Sequence, residues 1–520
     1  MDRSHAIYNS LLEEIRDAFA VSPYLVGRVL SRIFLAGRPV PRIDIANGTM
    51  LPWPYSLSEG SKLSAGSVSN VTDALLDDRI GLLTEPDSPE SNERPSGCPI
   101  KPLSLGGDRW GLIGIHVTHV REHVSALTGI LTGLNGHVIV KPEELEVTDD
   151  MNSDPMIALA QRVADLCEQL FLNWPDRRKE QRILGIGVAL GGHIYRGQVM
   201  FSTLADWNPD TKGFNLALEI SQYLALSQSP APAVLVDNNT NTFAIQALHR
   251  AHLAAADVSL VQVYPEGVGG ALVINGWLYR GGRGMAPEPG HLTTIYEEFT
   301  SPSSSYHDET SGKSLLGFTD PCTCGEKYNH VNTRATPRRI LEEIQKRVPK
   351  PDSEEDQHYP ELDTIEKLDT ALKKAATKPG YKIGPTATDT MLTTHAQVFQ
   401  EAGDALGRGL AQLVNVVNPS QLVLQLPSAL ARPEPQKSGA QYLAAVEAAL
   451  TEYCFSTGAV DARGDKERLK IESIDFADIR TNGAQAAAVA ALYNFIEHAQ
   501  GHDGCPQPRS RRITSAKGPA

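Results

Sequence analysis

Cysteine is scarce in this chain, with six in 520 residues, of which only Cys322 and Cys324 lie close together. That excludes a disulfide scaffold and fits a reducing compartment. Long apolar runs are missing too. No stretch approaches the roughly 20 residues that cross a bilayer, and the charged, amphipathic start lacks the apolar core of a signal peptide. Both features point to the cytoplasm and away from a membrane. Positive charge is outnumbered, with 48 Lys and Arg against 62 Asp and Glu, a net charge of −14. A chain coated with nucleic-acid-binding charge is therefore excluded, and any DNA contact must come from a local patch. What remains is an ordinary globular balance, 41% hydrophobic and 21% charged. At about 100–200 residues per domain this length holds two to four domains, and no internal repeat of fixed period is visible.

The first hundred residues read as helices followed by a polar break. Leu11, Leu12, Ile15, Phe19, Leu25, Val29, Leu30, Ile33 and Phe34 keep helical spacing until Gly37, Pro39 and Pro41. Residues 41–46 can open a short helix and 47–62 read as a long loop. In 63–85, Ser64 or Ser67 can cap a helix whose apolar face is Val68, Val71, Leu75 and Leu76. Residues 86–97 have almost no apolar content and read as a linker or the tip of a hairpin wing. From residue 110 strand-like runs (WGLIGIHV, RILGIGVAL, PAVLVDN, SLVQVYP, GGALVING) mix with helical patterns at 156–172, 214–226, 392–415 and 483–498. Hairpin-linked strands alongside crossover helices predict an α/β fold in two lobes rather than one doubly wound sheet. The tail after residue 498 is polar and basic and is expected to be disordered.

Three segments carry chemistry. Val236–Asn241 (VDNNTN) puts polar residues at the end of an apolar strand, where α/β sheets bind ligands; an Asn/Asp turn capping the next helix fits equally well. Gly267–His291 (GVGGALVINGWLYRGGRGMAPEPGH) has glycines that permit close approach to a phosphate, as they also permit plain hairpins. Cys322-Thr-Cys324-Gly325, with His291 upstream and His330 downstream, fits either a zinc site or a pair of free thiols in a turn.

In this order, these segments resemble the ROK family of repressors, open reading frames and sugar kinases, from about residue 30 to residue 495. AGRPVPR at 36–42, SAGSVSNVTDALLDDRIGLL at 64–83 and GCPIKPLSL at 97–105 resemble the winged helix-turn-helix of its regulators, which its kinases lack. The resemblance implies a winged helix-turn-helix over 1–97, followed by a two-lobed actin-like sugar-kinase fold. Lobe I would cover 98–245 and lobe II 246–498, its C-terminal helix returning toward lobe I, with a disordered tail at 499–520. Glu288-Pro289-Gly290-His291 matches the family's sugar-binding Glu-x-Gly-His. Asn238, Asn239, Glu288, His291 and Asn332 are the implied ligand contacts. The zinc cluster of the family is kept at Cys322, Cys324 and Gly325. Asn329 stands where a Cys is usual, so that His330 completes a His291, Cys322, Cys324, His330 set.

Departures from the kinases gather on the phosphate side. His116 stands where the first phosphate loop begins with Asp, and Leu190–His193 (LGGH) replaces a Pro-Gly segment. Asn239 occupies the general-base position, Pro265-Glu266 replaces Gly-Thr, and Gln425-Leu426 replaces Gly-Gly. Losing the base alone typically costs about 10²–10⁴ in rate, so no ATP use and no catalytic residue are expected. The implied function is a cytoplasmic, sugar-responsive transcription regulator of carbohydrate metabolism, acting as a repressor and homodimer. It would bind a sugar or sugar phosphate without phosphorylating it, and lobe closure would set the spacing of two DNA-binding domains. Ser67, Ser69 and Asn70 on the 64–78 helix would meet base edges. Arg38 and Arg42 would meet phosphates, since that helix has no Lys or Arg and carries Asp73, Asp77 and Asp78. An active sugar kinase and a sugar-binding scaffold without DNA binding are the alternatives.

Overall fold

The computed structural model describes residues 5–48, 62–86, 101–121, 124–148, 154–175, 177–195, 197–202, 213–226, 228–249, 257–265, 267–274, 276–294, 330–347, 365, 367–370, 388–431, 438–455, 469–475 and 478–501. Two units divide the chain, residues 1–255 with 480–520, and residues 256–479. The tail expected to be disordered lies outside the described residues from 502 onward.

The first unit opens with α1 (Ala6–Phe19) and α2 (Pro23–Ala36). The apolar run read from sequence is broken between them, where Ala20 turns left-handed and Ser22 accepts a bond from the Leu25 amide to start α2. Gly37 closes α2 in the left-handed conformation that glycine tolerates best. Next come α3 (Arg42–Asn47), α4 (Ala65–Leu76) and a two-stranded antiparallel ribbon of β1 (Leu83–Thr84) and β2 (Ser104–Leu105). Ser64 is the cap of α4, accepting from the Ser67 amide at 2.9 Å. The ribbon extends this N-terminal part past the boundary expected at residue 97, because Val40 and Leu103 bridge backbone to backbone and hold β2 against the chain after α2. Arg32 of α2 is buried, and its guanidinium donates to the carbonyls of Ile45 and Ala46. It thereby satisfies the end of α3, whose carbonyls have no helical partner. Burial lowers its pKa to about 10, still charged at neutral pH.

The sheet of the first unit is built from β3 (Trp110–Arg121), β4 (Val124–Gly133), β5 (Val138–Thr148), β6 (Arg182–Leu190) and β9 (Ala233–Asn238), in the order β5-β4-β3-β6-β9. The strands β3 to β5 form an antiparallel meander, while β6 and β9 add in parallel. A small ribbon, β7 (His193–Tyr195) with β8 (Gln198–Phe201), follows β6. Helices α5 (Pro155–Leu172) and α6 (Leu216–Tyr223) bury Val163, Leu166, Leu170 and Ile220 with one sheet face. α7 (Asn239–His249) continues from β9 without a loop.

In the second unit β10 (Val258–Val263), β11 (Val268–Ile274), β12 (Trp277–Tyr279), β13 (Gln421–Leu426) and β14 (Lys470–Asp475) repeat that plan. Their order is β12-β11-β10-β13-β14, three antiparallel strands and then two parallel ones. α8 (Pro337–Arg347), α9 (Thr388–Val417) and α10 (Ser438–Tyr453) pack their apolar faces into one core with it. The duplicated plan is the sugar-kinase-like α/β fold expected from sequence.

The C-terminal helix α11 (Ile479–Ala499) lies with the first unit from Arg480 on. It packs on the sheet face opposite α5 and comes unusually close. A Cβ at Gly114 would stand 1.9 Å from the Ala484 carbonyl oxygen, and one at Gly187 would stand 1.8 Å from that of Ala487. Glycines on the sheet facing alanines on the helix are what permit that distance. Among the described residues no single helix is long and apolar enough to cross a membrane.

Candidate functional site

The candidate residues fall in both units, and each set is built locally. In the first unit they sit where β9 runs into α7. The Asn238 side chain accepts from the Thr240 amide at 2.8 Å and donates to the Gly192 carbonyl at 2.8 Å. It therefore caps the helix, as the plainer sequence reading allows, and also clamps the turn after β6. Gly192 has φ +131°, and a Cβ there would meet the Phe201 carbonyl oxygen at 2.3 Å, so this turn requires glycine. Asp237, buried below, accepts from the Asn238 amide at 2.7 Å and from Asn241 Nδ2 at 2.8 Å. Asn239 is buried, and its Oδ1 accepts from the Thr240 amide at 2.9 Å. An amide oxygen in that position accepts a hydrogen bond but takes no proton at neutral pH.

His116, on β3, is buried in the same unit. Its Nδ1 lies 2.9 Å from Thr118 Oγ1, and its ring presses on α11, where a Cβ at Gly483 would come within 2.4 Å of it. Burial, and then the charge of Arg480, lower its pKa to about 4. A neutral imidazole packed against a helix thus fills the position where the resemblance puts a metal-orienting Asp. Mg²⁺ prefers oxygen ligands.

In the second unit Glu288 precedes a 3-10 turn, Pro289–His291, and His330 precedes another, Val331–Thr333. The turns are cross-tied by the Thr293–His330 bridge and by the Val331 amide donating to the Leu292 carbonyl. Asn332 Oδ1 accepts from the Val268 amide at 2.8 Å, anchoring the second turn to β11. The first turn packs Pro289 on Gly270, where a Cβ would lie 2.5 Å from the proline ring. Burial pushes the Glu288 carboxyl up to about 7. With 45% of that side chain still exposed, solvent reaches it. His291 Nε2 is 4.0 Å from Glu288 Oε2, and His291 Nδ1 faces His330 Nδ1 at 3.4 Å. Two nitrogens each about 2.0–2.1 Å from one tetrahedral zinc stand roughly 3.3–3.4 Å apart, so the histidine pair fits that ion. Cys322 and Cys324 lie outside the described residues.

Of the residues expected to face DNA, Arg38 is exposed between α2 and α3, Asn70 is exposed on α4, and Ser67 and Ser69 are half-buried there. Arg42 is engaged within the protein. It bonds Thr72 Oγ1 at 2.9 Å, Asp73 at 3.2 Å and Glu85 at 3.5 Å, pinning α3 to α4 and β1. Glu85 also takes Lys101 at 2.9 Å. Asp237 lies within the VDNNTN segment singled out from sequence, whereas nothing in the sequence marks Arg32, because its partners are backbone carbonyls of another helix.

The ROK family model matches residues 139–426, more than half of the chain. The chain belongs to the ROK family. A relative described as a xylose repressor, from Caldicellulosiruptor bescii, is 24% identical over 365 residues, covering 70% of this chain and 76% of its own length. A solved ROK-family transcriptional regulator, described as a homologue of the E. coli MLC protein, superimposes with a TM-score of 0.59 at 20% identity. That alignment covers 93% of this chain and 99% of the regulator, and it supports the two-unit ROK fold with the N-terminal helices included.

Proposed function

We propose that this ROK protein is a sugar-responsive transcriptional repressor of carbohydrate metabolism, working in the cytoplasm as a homodimer. Its kinase-like units bind a carbohydrate and do not phosphorylate it. One observation carries the reading: a helical N-terminal part with an antiparallel ribbon precedes a ROK domain whose acid positions hold His116 and Asn239. With a neutral, packed imidazole and an amide there, those two positions supply neither a carboxylate to place a metal nor a base for a sugar hydroxyl. Asn238, Asn239, Glu288, His291 and Asn332 are the ligand residues. Their amide and carboxyl groups suit sugar hydroxyls, and the Xylose repressor name of the relative makes a pentose the first effector to try. The α3–α4 pair and the ribbon serve as a winged helix-turn-helix. In it Arg38, with Arg42 behind it, meets phosphate, and Ser67, Ser69 and Asn70 meet base edges.

The test is selection of duplexes by the purified chain, then a mobility shift on the selected operator with and without D-xylose and a panel of pentoses, hexoses and their phosphates. Sugar-dependent release of the operator is the expected result. No shift at low salt with any selected duplex would sink the repressor reading. ATP turnover with any sugar of the panel would sink the non-kinase reading. A sugar-binding scaffold without DNA binding is the second reading. It is favoured by the carboxylates that already pair Arg42 and by the acidic Asp73, Asp77 and Asp78.

Zinc is part of the proposal, held by His291, His330, Cys322 and Cys324, where it would tie the two 3-10 turns to the Cys-x-Cys segment. Metal analysis is expected to give about one zinc per chain for such a four-ligand site. Cys324→Ala is expected to lose it. A metal-free chain whose melting is insensitive to chelation would show the site to be vestigial.

A further inference from the structure

We infer that α7 is the rod that carries sugar occupancy to the DNA-binding helices, and that His249 is the positioning residue at its far end. The inference rests on the repressor reading and on Asn238 and Asn239 as ligand residues; what it adds is the route. α7 begins at Asn239 and ends at His249, 11 residues and about 16 Å long. Every residue from Asn239 to Leu248 is buried, so the helix is gripped on all sides and shifts as a body rather than bending.

At its C-terminal end His249 Nδ1 lies 3.0 Å from the carbonyl oxygen of Phe34 in the last turn of α2. The imidazole also packs on the Phe34 ring, with centroids 4.7 Å apart. Phe34 stands just before Gly37, whose left-handed turn ends α2, and Arg38 follows. A histidine donating to a carbonyl at a helix end is a recognised cap, here supplied from 215 residues away. A shift of α7 along its axis therefore acts on the point where the chain leaves α2 for α3.

α2 does not hang on a flexible tether that would absorb such a shift. The Gln500 side chain donates to the Gly27 carbonyl at 3.0 Å, and a Cβ at Gly27 would meet Gln500 at 2.6 Å. Tyr493 of α11 also lies against Phe34, with ring centroids 5.6 Å apart. In α1, the Tyr8 hydroxyl donates to the Ala491 carbonyl at 3.1 Å. The bases of α1 and α2 are thus fixed to α11, and the end of α2 is held by α7. Coupling between distant sites requires an element that both of them bias, and α2, held by α7 at one end and by the C-terminal segment at the other, is placed to be that element.

The experiment uses the full chain and the selected operator, with D-xylose or whichever sugar of the panel releases wild-type protein. Operator affinity is measured with and without that sugar, and sugar affinity is measured separately by calorimetry. In wild type the sugar is expected to weaken operator binding by roughly 5–150-fold, the range of ordinary coupling. In His249→Ala that ratio is expected to fall at least about fivefold, with sugar affinity held within about twofold. His249→Gln, which keeps a donor, is expected to lie between the two. A merely structural role would lower stability or sugar-free operator affinity and leave the ratio unchanged, and that outcome overturns the inference while the repressor reading stands. A wild type that ignores every sugar overturns the reading itself. If His249→Ala fails to fold, hydrogen exchange on wild type decides: sugar must change protection at residues 34–37, and unchanged protection there refutes the route.

Discussion

The first unit presents its candidate residues at the buried junction of a parallel strand and a helix, whereas the second presents them on two short 3-10 turns. At the junction the side chains bond within the protein: Asn238 to Gly192 and Thr240, Asn241 to Asp237, His116 to Thr118. On the turns Glu288 and His291 are partly exposed. Phosphoryl transfer depends on charge neutralisation and a base, and the positions that the resemblance assigns to them hold the buried His116 and Asn239. Sugar recognition depends on polar groups that solvent reaches, and Glu288 and His291 are the ones proposed for it. On the proposed reading, the contrast separates the two halves of a kinase's work, binding chemistry on the turns of the second unit and former transfer positions in the packing of the first.

The strongest way to break this contrast is to disturb the packing that makes the first unit rigid. Gly187→Ala places a methyl group 1.8 Å from the Ala487 carbonyl oxygen, between a central strand and α11. Backbone cannot yield there as a side-chain end would. A loss of about 3 kcal/mol, the upper range for an overpacked core, is expected in urea unfolding. Gly282→Ala, with nothing within 4 Å of the new methyl group, serves as the control and is expected to change little. Equal midpoints for the two variants would show that the close approach of α11 is not what holds the unit.

A second measurement sharpens the claim that His116 is packing rather than chemistry. Its folded pKa of about 4 lies below the ordinary histidine value of about 6.5, with burial the main cause. The unfolded chain therefore binds the proton first as pH falls. Stability is complete above the unfolded value and drains away through the window from about 6.5 to 4, by roughly 2 kcal/mol between pH 7 and pH 5. His395 on α9, also buried with a pKa of about 4, imposes the same sign on the second unit. Unfolding of wild type and His116→Gln at the two pH values separates them: the variant is expected to lose less stability on acidification. Identical losses would mean that His116 takes up its proton in the fold as readily as in the unfolded chain.

Much of this was legible in the sequence. The helical spacing of Leu11, Leu12 and Ile15 marks α1, and the alternation of apolar strands with crossover helices marks the α/β class, because one-dimensional periodicity reports which face is buried. The Ser64 cap was readable as well, since its partner is three residues away. At VDNNTN the two readings proved compatible: Asn238 caps α7, and it does so at the end of a parallel strand. What periodicity cannot carry is contact between distant segments. Arg32 capping α3, Arg42 bonded to Thr72, Asp73 and Glu85, and His249 on Phe34 all depend on residues brought together by the fold. The Val40–Leu103 bridge is of the same kind, since it joins residues more than sixty apart.

The smallest expected effect concerns the two arginines that sequence alone treats as equivalent. Arg42 satisfies two carboxylates and a hydroxyl across three elements, while Arg38 is exposed at the end of α2. Asp73 is well exposed, so its pairing with Arg42 is screened by solvent, and the whole cluster is worth about 1 kcal/mol at most. Arg42→Ala is therefore expected to lower stability by no more than that, and to weaken DNA binding indirectly by loosening α3 against α4. Arg38→Ala is expected to leave stability unchanged. If Arg38 contacts phosphate, it will reduce the slope of log affinity against log salt by about one unit of charge. Thermal unfolding and a salt titration of the mobility shift measure the two separately. A salt slope that falls for Arg42→Ala and not for Arg38→Ala would mean that Arg42 leaves its carboxylates for DNA, and that the ion cluster on α4 is a resting arrangement.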